Sequence, residues 1–200
     1  QADYYYQLVR YLGVREERRP PCVYIGTEEE SFAASLCEAA GIKGSHTLIA
    51  LNPGAAYGSA KRWPAEKYIA LARRLLSNPG TRLLIIGGSD NASLVDLMCL
   101  SLEHHALAAV GKDLIKLAAL LKRCNLLITN DTGPMHIAAA VGTPVVALFG
   151  STDPRTTGPL GPRSRVIIKQ TPCSPCLKRR CPYDHRCMEA ITVDEVAMTV

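Results

Sequence analysis

No run of apolar residues in this 200-residue chain reaches the roughly 18–20 that a membrane-spanning helix needs, which excludes a helical span. The opening residues hold no basic-then-apolar stretch of the secretory kind, so the expected compartment is the reducing cytoplasm. Two glycine signatures of nucleotide loops are missing. The absence of GxxxxGK[ST] rules out a Walker loop, and the absence of GxGxxG counts against a nicotinamide-dependent oxidoreductase. Aromatic residues make up only 6% of the chain, and three of its eight tyrosines sit together at Tyr4, Tyr5 and Tyr6. Internal repeats and low-complexity segments are lacking too. There is no initiator methionine and the last segment stops within a helical pattern, so we expect a piece of a longer protein.

What is present describes a globular α/β domain. Apolar residues at 48% and charged residues at 20% are ordinary for a folded chain, and the length suits one domain rather than two. The net charge of +5 is too small and too scattered to argue for duplex nucleic acid, and no nucleic-acid partner is expected. It does suit phosphorylated ligands or an anionic surface.

From Thr47 onward, short apolar runs alternate with helical stretches. TLIAL (Thr47–Leu51), RLLII (Arg82–Ile86), Ala106–Val110, NLLIT (Asn125–Thr129), PVVALF (Pro144–Phe149) and RVII (Arg165–Ile168) read as strands. Helices are expected after Pro64, with Tyr68, Leu71, Ala72 and Leu75 on one face, then from Ala92, Leu114 and Pro134. Strands apolar on both faces and separated by helices imply a Rossmann-like parallel sheet with helices on both faces. Residues 1–46 differ: a Tyr-rich helix, the charged connector Arg15–Arg19, and a helix opened by a capping box at Thr27–Glu30 and closed by Gly41. The chain is therefore divided into a lead-in, 1–46, and a nucleotide-binding domain, 47–200.

In such sheets ligands bind beyond the carboxyl ends of the strands. The loop from Asn52 to Pro64 carries small residues, then Lys61 and Arg62 at a helix start, which together make an anion site. The loop Asn130-Asp131-Thr132-Gly133-Pro134-Met135-His136 opens another helix. There Asp131 suits sugar hydroxyls, and the amides of Thr132, Gly133 and Met135 suit an anion. Asp131 as a plain helix cap, and Lys61 as a solvated surface lysine, are the ordinary alternatives. Asp90 could reach a ribose hydroxyl or serve as an N-cap, and Lys112 could line a base pocket or merely follow a strand-to-helix turn. A stand-alone nucleotide or metal–thiolate binding module is the alternative function. A transferase donor site needs Lys61 and Asp131 to face one crevice, whereas a thiolate module would leave them unrelated.

Pro53-Gly54-Ala55 with Ala60-Lys61-Arg62-Trp63-Pro64, then Asn130–His136, then Gly150-Ser151-Thr152-Asp153-Pro154, resemble the bacterial ADP-heptose:lipopolysaccharide heptosyltransferases. These are family 9 glycosyltransferases of GT-B architecture, and the resemblance, from about Leu51 to the end, is nearest the heptosyltransferase II type. It implies a C-terminal, donor-binding half that is inactive alone, because the family's general base lies in an N-terminal acceptor domain. It further implies that Lys61 neutralises the diphosphate of ADP-heptose, that Asp131 holds heptose hydroxyls, and that Thr132, Gly133 and His136 sit at diphosphate and sugar. Inverting transfer to the lipopolysaccharide inner core would require no cofactor, at the cytoplasmic face of the inner membrane. The basic run Lys178–Arg180 suits peripheral contact with anionic lipid, or a solvated patch.

Four of the eight cysteines crowd together as Cys173, Cys176, Cys181 and Cys187. Their density suits a structural zinc or iron–sulfur centre, although the spacing matches no standard pattern. Disulfides and reduced thiols on an irregular loop are the other readings. Basic neighbours are expected to lower the thiol pKa values, and a packing role is expected for the segment.

Overall fold

The computed structural model describes residues 2–15, 17, 19–102 and 105–200. The apolar runs become β1 (Thr47–Asn52), β2 (Thr81–Gly87), β3 (Ala106–Val110), β4 (Leu126–Asn130), β5 (Val145–Phe149) and β6 (Ser164–Ile168). They form one sheet in the order β3-β2-β1-β4-β5-β6. All of its pairings are parallel. This is the strand order of the doubly wound nucleotide-binding folds. Helices α3 (Ala65–Leu76), α4 (Ala92–Ser101), α5 (Leu114–Lys122), α6 (Gly133–Ala140) and α7 (Pro154–Thr157) make the crossovers. Helices α1 (Ala2–Tyr11) and α2 (Thr27–Ala39) precede the sheet, and α8 (Arg186–Glu189) and α9 (Val193–Ala197) follow it.

Alternation along each strand splits the core in two. Ile49, Leu51, Leu83, Ile85, Ile128 and Leu148 face one side, where Tyr68 and Leu71 of α3, Val95 and Met98 of α4, and Val196 of α9 cover them. Leu48, Ala50, Leu84, Ile86, Leu127 and Phe149 face the other, under Ala33 and Cys37 of α2, Leu120 of α5 and Met135 of α6. Both faces are dry, which is why these strands are apolar throughout rather than alternating with polar residues.

Helix α2 thus belongs to the sheet's packing, whereas α1 buries no residue. The expected capping box at Thr27 does not form. The Glu30 amide bonds the Gly26 carbonyl at 3.0 Å, so the helix starts one residue early and Thr27 is already inside it. Its far end behaves as expected: Gly41 takes φ +68°, with its amide on Glu38 and that of Ile42 on Cys37. Of the connector Arg15–Arg19, residues 16 and 18 lie outside the described residues. No helix among the described residues is long and apolar enough to cross a membrane.

Helix α5 is capped by Asp113, whose carboxylate accepts the amides of Lys116 at 2.9 Å and Ile115 at 3.1 Å. The Lys116 amide and ammonium hold this carboxyl below its ordinary value of 3.8. A lowered folded-state value stabilises above the unfolded value, and the effect is lost as pH falls through the folded one. Asp113→Ala should therefore lower the melting temperature near neutrality. The gap to the parent chain should narrow steadily as melts are repeated at pH values falling below the ordinary carboxyl range.

Candidate functional site

The strand order reverses between β1 and β4, and both central strands end in polar residues. Asn52, Thr129 and Asn130 are nonetheless buried. Asn130 is wholly enclosed and uses every hydrogen-bonding valence of its carboxamide. Nδ2 donates to the carbonyls of Pro53 at 2.9 Å and Gly54 at 3.1 Å. Oδ1 accepts from the Trp63 amide at 3.0 Å and the Tyr68 hydroxyl at 3.3 Å. The Tyr68 hydroxyl shares its one proton between Asn130 Oδ1 and the Asn52 carbonyl, at 3.1 Å from the latter, and burial pushes its pKa far above the ordinary value. One side chain of β4 thus fixes the start of the loop after β1 and its return into α3. Asn52 adds a second tie, donating from Nδ2 to Thr132 Oγ1 at 2.7 Å and Thr129 Oγ1 at 2.9 Å.

Between those fixed ends the loop makes a 3₁₀ turn, Ser59–Lys61, and delivers Lys61 to β4. Lys61 Nζ lies 2.6 Å from Asp131 Oδ2, with the two side chains 12% and 5% exposed. Thr152 Oγ1 donates to the same oxygen at 2.7 Å and Thr157 Oγ1 at 3.2 Å. These donors all converge on Oδ2, which leaves Oδ1 for a ligand hydroxyl. Lys61 Nζ also stands 5.0 Å from the centre of the Tyr57 ring. Asp131 is therefore not a helix cap. The cap position of α6 belongs to Thr132, whose hydroxyl is occupied by Asn52.

Beside the ion pair opens a cleft of about 300 Å³ between the ends of β1, β2, β3 and β4. Ile86, Ala109, Leu114, Leu117 and Ile137 give it apolar walls, and Asp90, Lys112, Thr132 and Gly133 give it a polar border. In the first turn of α6 Pro134 has no N–H, and the Met135 amide, expected to face an anion, instead bonds the Thr132 carbonyl at 3.2 Å, which leaves the Gly133 amide at the helix start. Asp90 does not cap α4, because it lies in the 3₁₀ turn Ser89–Asn91 and Asn91 takes the cap position. His136 stands apart from this cleft. It is exposed and borders a small hollow with Pro21, Ala139, Ala140 and Leu160.

Cys173, Cys176, Cys181 and Cys187 line one small hollow, together with Ala60, Ser151 and His185. All eight cysteines are unpaired, and no group of three His, Cys, Asp or Glu among the described residues is arranged to hold a metal ion. The expectation of lowered thiol pKa values fails at Cys187, which burial pushes up. Cys187 and Met188 pack into the sheet's first core face, and Trp63 Nε1 donates to the Ile191 carbonyl at 3.0 Å.

Lys61, Asp131, Thr132 and Gly133 are thus brought together, with Asp90 and Lys112 across the adjoining cleft. Reading the sequence missed Asn52 and Asn130 as fixing residues and Thr152 and Thr157 as donors to Asp131. A polar residue closing an otherwise apolar strand, as in both TLIALN and LLITN, is the signal that identifies the first two.

The family model for glycosyltransferase family 9 (heptosyltransferase) matches residues 7–186. The match begins well before Leu51. Lipopolysaccharide heptosyltransferase 2 of Salmonella typhimurium is 36% identical over 152 residues, which are 74% of this chain and 42% of that protein. A solved family 9 glycosyltransferase from Veillonella parvula superposes with TM-score 0.84 at 30% identity, covering 98% of this chain and 57% of its own. The ADP-heptose lps heptosyltransferase II of E. coli superposes with TM-score 0.77 at 27% identity, covering 92% and 54%. The chain spans about half the length of these proteins.

Asn130→Ala would leave one buried donor, the Trp63 amide, and the carbonyls of Pro53 and Gly54 without partners, at about 1–3 kcal/mol for each unpaired group that water cannot reach. Urea unfolding should show a loss of about 3 kcal/mol or more. A loss below about 1 kcal/mol contradicts the clamp.

Proposed function

The chain belongs to glycosyltransferase family 9, the heptosyltransferases, and from that premise we propose that residues 47–200 are the donor-binding half of an inverting GT-B enzyme. Residues 1–46 supply the crossing from an acceptor domain and the first elements of this one. The donor is ADP-heptose, and the acceptor is the phosphorylated inner core of lipopolysaccharide. The work is done at the cytoplasmic face of the inner membrane.

The observation that carries this reading is the buried Lys61–Asp131 pair beside an apolar cleft at the strand-order reversal. The cleft accepts the flat apolar base, with Lys112 at its border and Asp90 within reach of ribose hydroxyls. The diphosphate lies against Lys61 and the Gly133 amide at the start of α6. Asp131 Oδ1 accepts heptose hydroxyls, while Thr152 and Thr157 hold Oδ2. No role falls to His136.

In the reaction, an acceptor hydroxyl oxygen bonds to the anomeric carbon of heptose as the bond from that carbon to the diphosphate breaks. The electron pair leaves on the β-phosphate oxygen of ADP, and the hydroxyl proton passes to a general base in the acceptor domain. Lys61 and the Gly133 amide stabilise the charge where it develops, a favourable placement in a site with little water. The Lys61 ammonium is kept in place beforehand by Asp131, so little reorganisation is needed when the diphosphate arrives.

Calorimetric titration with ADP, UDP and NAD tests the reading. ADP should bind in preference to the other two, and Lys61→Ala should weaken it about 10- to 100-fold, the scale of a charge-assisted contact plus an unpaired Asp131. Asp131→Asn should leave ADP affinity nearly intact and weaken ADP-heptose. The chain alone should turn over no heptose. Equal affinity for UDP would remove the case for an adenine donor, and turnover by this chain would show that the base has been misplaced.

A further inference from the structure

Besides sharing a hollow with Ala60, the Cys-rich segment reaches the loop after β1 through Arg179. Arg179 donates from Nε to the Tyr57 carbonyl at 2.9 Å, and its guanidinium carbon stands 5.0 Å from the centre of the Tyr57 ring. Its own carbonyl accepts the Ala60 amide at 3.1 Å. Between these contacts lies Gly58 at φ +146°, where any Cβ would collide with the Arg179 carbonyl. Two independent features therefore depend on Arg179 lying against this loop: the geometry at Gly58 and the ring stacking at Tyr57.

The other side of that contact is anchored. The Leu177 amide bonds the Ser151 carbonyl at 2.7 Å, and Ser174 bonds the Gly150 carbonyl, both in the loop after β5 that also supplies Thr152 to Asp131. Leu177 takes a left-handed backbone, φ +56°, uncommon for its type. Lys178, Arg179 and Arg180 are all exposed, and what sets Arg179 apart is its bond and ring contact to Tyr57. In this basic run Arg179 is the residue turned onto the loop, so its part is more specific than that of a solvated patch.

Tyr57 is the shared element. Its ring lies within cation–π distance of both Arg179 and Lys61. We propose that Arg179 is a positioning residue for Lys61: by gripping Tyr57 and the backbone at Ala60, it holds the ammonium beside Asp131. Its consequence for catalysis rests on the donor-site reading above. The Cys-rich segment would then act on donor binding through this one arm.

Two readouts separate the inference from the reading it rests on. The first needs no nucleotide: brief acetylation with acetic anhydride, followed by mass spectrometry of the Lys61 peptide. Arg179→Ala should raise Lys61 labelling several-fold relative to Lys116, whereas Lys178→Ala and Arg180→Ala should not. The second is ADP titration, with adenosine as the phosphate-free comparison. Arg179→Ala should weaken ADP about three- to tenfold and leave adenosine unchanged. Arg179→Lys should not restore it, because an ammonium keeps the charge without the flat, bonded fork. Tyr57→Phe should behave as the parent chain and Tyr57→Leu as Arg179→Ala.

Unchanged Lys61 labelling in Arg179→Ala overturns the proposal. So does full rescue by Arg179→Lys, or an equal effect of Lys178→Ala, since either would reduce Arg179 to a diffuse charge. If labelling responds as expected but even the parent chain fails to bind ADP, the positioning role stands and the donor-site reading falls.

Discussion

The four hydrogen bonds of the Asn130 carboxamide are the constraint on which the site depends. A parallel sheet can hold its strands in register without them, because the apolar faces and the ladder suffice. The loop between Pro53 and Trp63 has no such ladder. It leaves the sheet at β1 and must return at a defined point for Lys61 to meet Asp131. Asn130 binds the loop's departure through two carbonyls and its return through the Trp63 amide, while itself sitting next to Asp131 in sequence. The cation and the carboxylate are therefore placed by adjacent residues of one strand end.

A buried ion pair is costly to assemble, because both charges lose water. Here the carboxylate recovers part of that cost from two threonine hydroxyls in addition to the ammonium. The arrangement contributes little to stability by the usual reckoning, and its value lies in readiness. On the proposed donor reading, an ammonium already fixed beside an apolar cleft would meet a diphosphate with almost no rearrangement. Thr152 comes from the loop after β5 and Thr157 from α7, so elements that follow β1, β4 and β5 meet at this one oxygen.

The fold was legible because its physics is repetitive. Runs such as TLIAL and PVVALF are apolar on both faces, and only a covered parallel sheet satisfies that pattern. Strand ends moved by about one residue, as at β4, where Asn130 joins the strand in place of Asn125. The site was legible where residue chemistry is unusual, at Lys61 and Asp131, and where the loops resemble family 9. It was not legible at Thr157 or Arg179, because their partners lie 26 and 122 residues away in the chain and common residue types carry no local mark. His136 shows the converse: the family motif suggested a ligand contact, whereas the turn of α6 places it at the Pro21 hollow. At Thr27 a valid capping pattern lost to a helix that began at the glycine before it.

The most direct test of the central claim is a crystal structure of this chain with ADP bound. The base is expected between the ends of β1, β2 and β3, and a phosphate within hydrogen-bonding distance of Lys61 and the Gly133 amide. ADP bound elsewhere, or in the cleft with its phosphates turned away from Lys61, would contradict it.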